Sequence, residues 1–178
     1  MGRIIATESI TLDGVMQGPG RADEDTRGGF TRGGWGQGYA DQVIAERMGA
    51  GMSRSGAMLL GRRSYEELMH SWTTREPDSQ ITAHLLGADK YVVSRNPALS
   101  LSYPNSTLLA GPAADTVREL KNHGDRTLSI IGSGELVRAL LAAGLIDGFV
   151  LLIHPTSSAP APGCSARATA PICAARTP

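Results

Sequence analysis

Three short segments of the sequence combine glycine, hydroxyl and arginine residues in a way that suits phosphate binding. They are Gly61-Arg62-Arg63-Ser64, Ser94-Arg95 and Gly132-Ser133-Gly134-Glu135-Leu136. Backbone N–H groups at a helix start attract anions, and the positive end of the helix dipole reinforces that attraction. Arginine pairs with phosphate through two N–H groups, and glycine lets the backbone approach a pyrophosphate closely. The three segments are therefore candidate phosphate contacts.

Each segment also has a simpler interpretation. Residues 61–64 fit a solvated helix start, Ser94-Arg95 fits an ordinary turn, and residues 132–136 fit a tight turn in which Ser133 caps a helix. The third segment is not a full G-x-G-x-x-G, because Val137 takes the last glycine position, and it does not follow the first strand. The sequence therefore disfavours a Rossmann dinucleotide-binding domain.

The elements that would position these segments alternate along the chain. Apolar runs predict strands at residues 3–7, 57–61, 90–94, 107–109, 127–131 and 149–153, and helical spacing predicts helices at residues 41–52, 62–72, 113–123 and 135–143. This alternation predicts an α/β domain with a largely parallel sheet. Ligands of such sheets bind at the edge formed by the carboxyl ends of the strands. All three segments follow predicted strands, so together they indicate one dinucleotide laid across that edge.

The long segment at residues 17–38 is crowded with glycine and charge, and a loop of this length is commonly a functional lid or disordered. It contains two Arg-Gly-Gly units, at residues 27–29 and 32–34, which would suit contact with RNA. The acidic residues 23–25 beside them argue against an RNA-contacting module. Asp41, at the start of the first predicted helix, is either a partner of the helix dipole, which we favour, or a carboxylate on the substrate side.

Composition and charge narrow the class of protein. The 178 residues include 17 basic and 17 acidic side chains, and this balance disfavours a dedicated nucleic-acid or membrane-surface protein. No apolar run reaches the roughly 18 residues of a membrane span, and the N-terminus lacks the apolar stretch of a signal peptide. The four histidines lack the spacing of metal ligands, so we expect no metal site and a surface or capping role for each. These features predict a cytoplasmic domain.

The chain changes character after His154-Pro155. Residues 156–178 are mostly Ala, Pro, Ser, Thr, Arg and Cys, and their pattern supports neither a strand nor a helix. This segment is either a natural disordered tail or the product of a shifted reading frame. The use of 15 arginines against two lysines indicates a GC-rich gene, whose misread codons give such residues, and favours the second origin. We therefore predict one domain at residues 1–155 and an aberrant or disordered tail at residues 156–178.

Taken in order, the motifs resemble a known family: the stand-alone reductases related to the reductase domain of the bifunctional riboflavin-biosynthesis deaminase-reductase, within the dihydrofolate-reductase-like superfamily. The resemblance covers about residues 2–155 and is specific as an ordered set. It is carried by TLDGVMQ at 11–17, GGF and GGW at 28–30 and 33–35, LLGRRSYE at 59–66, KYVVSR at 90–95, GSGEL at 132–136, GLID at 144–147 and LIHP at 152–155. It implies a three-layer α/β fold with a mostly parallel central sheet. Further strands would follow His154-Pro155 in this family, where the chain has its tail instead.

The resemblance also implies a function, namely NADPH-dependent hydride transfer to a small molecule with a pteridine, a pyrimidine or another C=N or C=O group. It implies cofactor contacts at Ala6, Val15, Met16 and Gln17 beside the nicotinamide, at Gly61, Arg62, Arg63 and Ser64 for phosphates, at Ser94 and Arg95 for the adenosine 2′-phosphate, and at Gly132, Ser133, Gly134, Glu135 and Leu136 for the pyrophosphate. Trp35, Tyr39 and Asp41 would lie towards the substrate, with Asp41 as the candidate catalytic group. No carboxylate matches the proton donor of true dihydrofolate reductases, so the resemblance does not extend to folate reduction.

Two further points stay open in this interpretation. The resemblance allows a homodimer, because family members often pair. The alternative to a reductase is a protein that binds NADPH without turning over a substrate, and an RNA-contacting module is the less favoured third option.

Overall fold

The computed structural model describes residues 2–39 and 56–158. Within them the strands are β1 (Arg3–Thr11), β2 (Ala57–Gly61), β3 (Lys90–Ser94), β4 (Ser106–Ala110), β5 (Thr127–Ile131) and β6 (Gly148–His154), and the α-helices are α1 (Arg62–Arg75), α2 (Gln80–Gly87), α3 (Ala113–His123) and α4 (Gly134–Ala142). A single 3₁₀ turn, Arg27–Gly29, lies in the glycine-rich loop. The predicted helix at residues 41–52, including Asp41, lies outside the described residues, as do residues 159–178 of the predicted tail.

All six strands form one sheet in the order β4-β3-β2-β5-β1-β6. Every pairing in it is parallel, which confirms the predicted α/β class. Parallel strands present all their carboxyl ends at one edge, so the three candidate phosphate segments follow β2, β3 and β5 at the same side of the molecule.

Two apolar layers enclose the sheet, one on each face. On one face Ile4 and Leu59 pack with α3 and α4, and on the other Met58 and Leu60 pack with α1 and α2. Residues 57–60 of β2 are all buried, as expected for a strand covered on both faces, whose sequence is apolar without alternation. The three-layer arrangement follows from this double burial.

Helix α2 is an element that the sequence pattern did not predict. Its start is capped by Ser79, whose side chain accepts a hydrogen bond from the N–H of Thr82. Its end is held by Lys90, whose buried Nζ donates to the carbonyl oxygens of Leu85 and Ala88, each at 2.6 Å. Burial lowers the pKa of this ammonium. Lys90, at the start of β3, therefore stabilises the C-terminal end of α2.

A second buried lysine fixes the start of β1. Lys121 on α3 donates to Asp147 Oδ2 at 2.6 Å, and the same oxygen accepts from the N–H of Ile4 at 2.7 Å. Burial opposes ionisation of Asp147, but the hydrogen bonds from Lys121 and Ile4, together with the charge of Lys121, outweigh it and lower the pKa. This carboxylate therefore connects α3, β1 and the approach to β6.

Strand β6 lies at the edge of the sheet and is paired only with β1 among the described strands. It exposes a run of large apolar side chains on both faces: Phe149, Val150, Leu151 and Ile153. Contacts with the body continue past the predicted boundary at residue 155, since the N–H of Leu12 donates to Thr156 O at 2.9 Å and the N–H of Ser158 donates to Asp13 at 3.0 Å. None of the described helices is long and apolar enough to cross a membrane.

Candidate functional site

A cavity of about 550 Å³ opens at the carboxyl ends of the strands, a volume typical of small-molecule sites. The three segments predicted to contact phosphate meet here. The predicted residues that line it are Gly61, Arg62, Arg63, Ser64, Ser94, Arg95, Ser133, Gly134, Glu135 and Leu136, and Gly132 is not among the lining residues. The structure thus brings together residues from three separate strand ends, and it adds Arg27 from the glycine-rich loop.

A direct hydrogen bond joins the first and third segments. Ser133 Oγ accepts from the N–H of Gly61 at 3.0 Å, so the ends of β2 and β5 are tied together. The chain reverses there through Gly132 and Ser133, both with positive φ, of 65° and 69°. For a serine this conformation costs roughly 1–2 kcal/mol. Ser133 is the N-cap residue of α4, as the tight-turn interpretation has it, but its hydroxyl accepts from Gly61 and makes no capping bond.

Two helices begin at the cavity without side-chain caps. Neither α1 nor α4 has a capping hydrogen bond at its N-terminus, and the first turn of α1 contains no acidic residue. The first N–H groups of a helix have no partner within the helix. Both starts can therefore donate to an anion in the cavity and favour it through their dipoles.

Arginine dominates the charge of the cavity wall. Arg27, Arg62, Arg63 and Arg95 line it, with Glu135 as the single carboxylate among the lining residues. Among the described residues Arg95 makes no ion pair, whereas Arg62 pairs with Glu66 on its own helix at 2.7 Å. The wall therefore suits a ligand that carries several negative charges.

Glu135 was predicted to hold a pyrophosphate, and its side chain has the wrong charge for that contact. Its carboxylate instead accepts from Arg27 Nη1 at 2.7 Å and lies 3.7 Å from Arg63 Nη1. The backbone N–H of Glu135, in the first turn of α4, remains the group that suits a phosphate.

None of the four residues predicted beside a nicotinamide lines the cavity. Ala6 is fully buried in the centre of the sheet, between Ile130 and Phe149 of the adjacent strands. Met16 packs against the third segment, since its Sδ lies only 3.0 Å from where a Cβ on Gly134 would stand. The contacts of these residues with a nicotinamide stay a prediction.

The other two of the four organise the loop. Val15 makes two hydrogen bonds with Thr11: its carbonyl oxygen accepts from the N–H of Thr11, and its N–H donates to Thr11 Oγ1. The side-chain amide of Gln17 donates to the carbonyl oxygens of Asp25 and Arg27 at 3.1 and 2.9 Å. Gln17 O in turn accepts from Trp35 Nε1 at 2.7 Å. Gln17 therefore connects Arg27, which lines the cavity, with Trp35.

The predicted substrate residues Trp35 and Tyr39 meet around a residue that sequence reasoning placed elsewhere. Both rings lie edge-on to His154, with centroid separations of 5.2 and 5.6 Å. His154 is buried, so a surface or capping role is wrong. It ends β6 in register with Thr11, and the rings of the loop cover it. Its Nε2 has no hydrogen-bond partner in the described part of the chain.

A second buried polar group, Glu8 on β1, was missed altogether. It is 4% exposed, and its Oε1 has no hydrogen-bond partner among the described residues. Burial raises its pKa to about 7. A carboxyl that titrates near neutral pH can give or take a proton. The signal in the sequence was the one acidic residue, Glu8, within the strand segment Arg3–Thr11.

Known proteins match both the chain and its fold. A family model described as the RibD C-terminal domain matches residues 3–157. No curated protein matches the chain. Among solved structures, a putative riboflavin biosynthesis protein from Shewanella sp. PV-4 is 19% identical, with 88% of this chain and 78% of that chain covered at a TM-score of 0.58.

Two longer proteins are also similar. RibD from Acinetobacter baumannii is 15% identical with a TM-score of 0.54, covering 89% of this chain and 48% of its own. A diaminohydroxyphosphoribosylaminopyrimidine deaminase/5-amino-6-(5-phosphoribosylamino)uracil reductase from Thermotoga maritima is 11% identical with a TM-score of 0.50, covering 83% and 44%. The chain therefore spans less than half the length of these two proteins, and at such identities the likeness concerns the fold.

Proposed function

The chain belongs to the RibD C-terminal domain family, and from this premise we propose that it is an NADPH-dependent reductase of a small molecule. The observation that carries the proposal is the cavity at the carboxyl edge of the sheet. It combines two uncapped helix starts with four arginines, as binding of a dinucleotide with three phosphates requires. Bound NADPH would supply the hydride for the reduction.

Each part of the cavity wall has its own role in this proposal. The N–H groups at the starts of α1 and α4 bind the pyrophosphate, and Arg62 and Arg63 add positive charge beside it. Ser94 at the end of β3 and Arg95 directly after it bind the 2′-phosphate, which distinguishes NADPH from NADH. Arg95 suits this role because its guanidinium lines the cavity and makes no ion pair among the described residues.

We propose a flat heterocycle with a C=N or C=O group as the substrate. Trp35 and Tyr39 offer aromatic surfaces for it, beside the buried ring of His154. The name of the Thermotoga relative specifies reduction of an aminouracil, which favours a pyrimidine over a pteridine as the first compound to test. Asp41 remains the candidate catalytic carboxylate, although it lies outside the described residues.

Fluorescence titration with both nicotinamide cofactors tests the binding step. Arg95→Ala should weaken NADPH binding by about 1.5–3 kcal/mol, the scale of a lost charge-assisted contact, and leave NADH binding unchanged. Arg138→Ala is the matched control, because Arg138 is exposed on α4 and does not line the cavity. Equal losses for the two cofactors would remove Arg95 from the 2′-phosphate role.

Turnover needs a separate measurement. NADPH oxidation, followed by its absorbance, should be faster with one member of a panel of pyrimidines, pterins and quinones than without it. Tight NADPH binding with no oxidation across the panel would instead support a cofactor-binding protein without reductase activity.

A further inference from the structure

Arg27 places a positive charge at the cavity, although it lies in the glycine-rich loop and not at the end of β2, β3 or β5. Arg27 lines the cavity, and its Nη1 donates to Glu135 Oε1 at 2.7 Å. Its other two nitrogens, Nε and Nη2, both donate to the carboxylate of Asp25, with Nε 2.7 Å from Oδ1. Gln17 holds the backbone at the same residue, through the hydrogen bond to Arg27 O at 2.9 Å. Asp25 and Glu135 therefore hold the side chain of Arg27, and Gln17 holds its backbone.

The carboxylate of Glu135 lies near two arginine side chains, and an anionic ligand would be attracted to the same place. Glu135 lies in the first turn of α4, whose N–H groups face the cavity, and it contacts Arg27 and, more loosely, Arg63. The side chains of Arg27 and Glu135 are 49% and 66% exposed, and ion pairs this exposed are weak. The Glu135 carboxylate is thus a counter-ion that an anion of higher charge can replace.

We propose that Arg27 is a further ligand of the pyrophosphate of the bound dinucleotide, and that Glu135 is the partner it exchanges for that phosphate. This inference rests on the proposed NADPH site. A pyrophosphate carries more negative charge than one carboxylate, and its oxygens match the two N–H groups of a guanidinium. Gly28, directly after Arg27, has a φ of 67° and open space around its Cα, so the chain can adjust there as the side chain changes partner.

Binding of NADPH and NADH to four variants tests the proposal. Because both dinucleotides contain the pyrophosphate, Arg27→Ala should weaken both about tenfold, and Arg27→Lys should weaken both by less. Glu135→Gln should strengthen both by about two- to fivefold, since it removes the competing carboxylate. Arg32→Ala is the matched control, because Arg32 heads the second Arg-Gly-Gly unit of the same loop, is exposed and does not line the cavity. Melting temperatures of all four variants verify that they fold.

The opposite signs expected for Arg27→Ala and Glu135→Gln separate exchange from a structural ion pair. If both variants weaken binding, the pair merely builds the site and the exchange is overturned. If Arg27→Ala binds NADPH as well as the wild type and Arg32→Ala do, Arg27 is not a ligand. A wild-type chain that binds neither dinucleotide overturns the proposed function and this inference with it, whereas normal wild-type binding with an unaffected Arg27→Ala variant overturns this inference alone.

Discussion

Glu8 should make the protein less stable as the pH rises through the neutral range. This carboxyl is buried in β1 without a hydrogen-bond partner for Oε1 in the described residues. Water solvates the ionised form in the unfolded chain, whereas in the folded chain no hydrogen bond from the described residues to Oε1 replaces that solvation. Burial therefore raises the pKa from 4.5 to about 7.

The size and sign of the effect follow from this pKa difference. Below about pH 4.5 the carboxyl is protonated in both states, so it makes no difference to the pH dependence of unfolding. Between about pH 4.5 and 7 the unfolded chain releases the proton while the folded chain keeps it, and the free energy of unfolding falls. Each pKa unit is worth about 1.4 kcal/mol, so the total loss is on the order of 3 kcal/mol, complete just above pH 7.

Urea unfolding at pH 5 and pH 8 measures this loss. From pH 5 to pH 8 the wild type should lose about 2.5 kcal/mol more than Glu8→Gln, because the amide keeps the shape and stays neutral. Glu119→Gln on α3 is the matched control, since Glu119 is exposed and should leave the pH dependence of the wild type unchanged. The same pH dependence in wild type and Glu8→Gln would refute the reasoning. A wild type that gains stability relative to Glu8→Gln at pH 8 would mean that a cation pairs with the carboxylate.

Two further predictions concern buried polar groups outside the cavity. Lys90→Met should lower the free energy of unfolding by about 2–4 kcal/mol in urea titrations, because it leaves the carbonyl oxygens of Leu85 and Ala88 without their charged donor; a loss below about 1 kcal/mol would show that water replaces the ammonium easily. His154→Phe should keep or raise the melting temperature, because it preserves the ring contacts and removes an Nε2 that has no hydrogen-bond partner among the described residues, while His154→Ala should lower stability by about 2–4 kcal/mol. A destabilised phenylalanine variant would indicate that Nε2 has a bound partner in solution.

Much of the sheet could be predicted because its signals are local. The apolar run at residues 57–60 and the strand–glycine–helix order around residue 132 specify their own structure, and both were predicted within a residue or two. Helix α2 could not be predicted, because it is short and depends on Lys90, a charged residue that the sequence pattern assigns only to the start of a strand. Its stability comes from a tertiary contact that periodicity does not register.

The residues of the cavity also divide into those with a local signal in the sequence and those that depend on tertiary contacts. Parallel topology alone predicts that the residues after β2, β3 and β5 converge, and they do. No local feature of the sequence indicates that Arg27 lines the cavity with these residues, because its partner Glu135 is 108 residues away. His154 likewise looked like an exposed residue before proline, since only the folded loop brings Trp35 and Tyr39 to it. Contacts of this kind depend on packing, which the pattern of a single segment does not contain.

The place of β1 in the sheet also determines when the fold can be completed. Strand β1 is synthesised before the other described strands and pairs with β5 and β6, and the N–H of its Ile4 is bonded to Asp147, 143 residues further along. The half of the sheet made of β2, β3 and β4 uses only residues 57–110 and can assemble early. Until residue 147 has been synthesised, β1 waits as an unpaired apolar strand, and such long-range parallel pairing is slow and prone to association. Chaperone dependence during synthesis should therefore reside in residues 3–11, although β1 lies between β5 and β6 in the folded sheet.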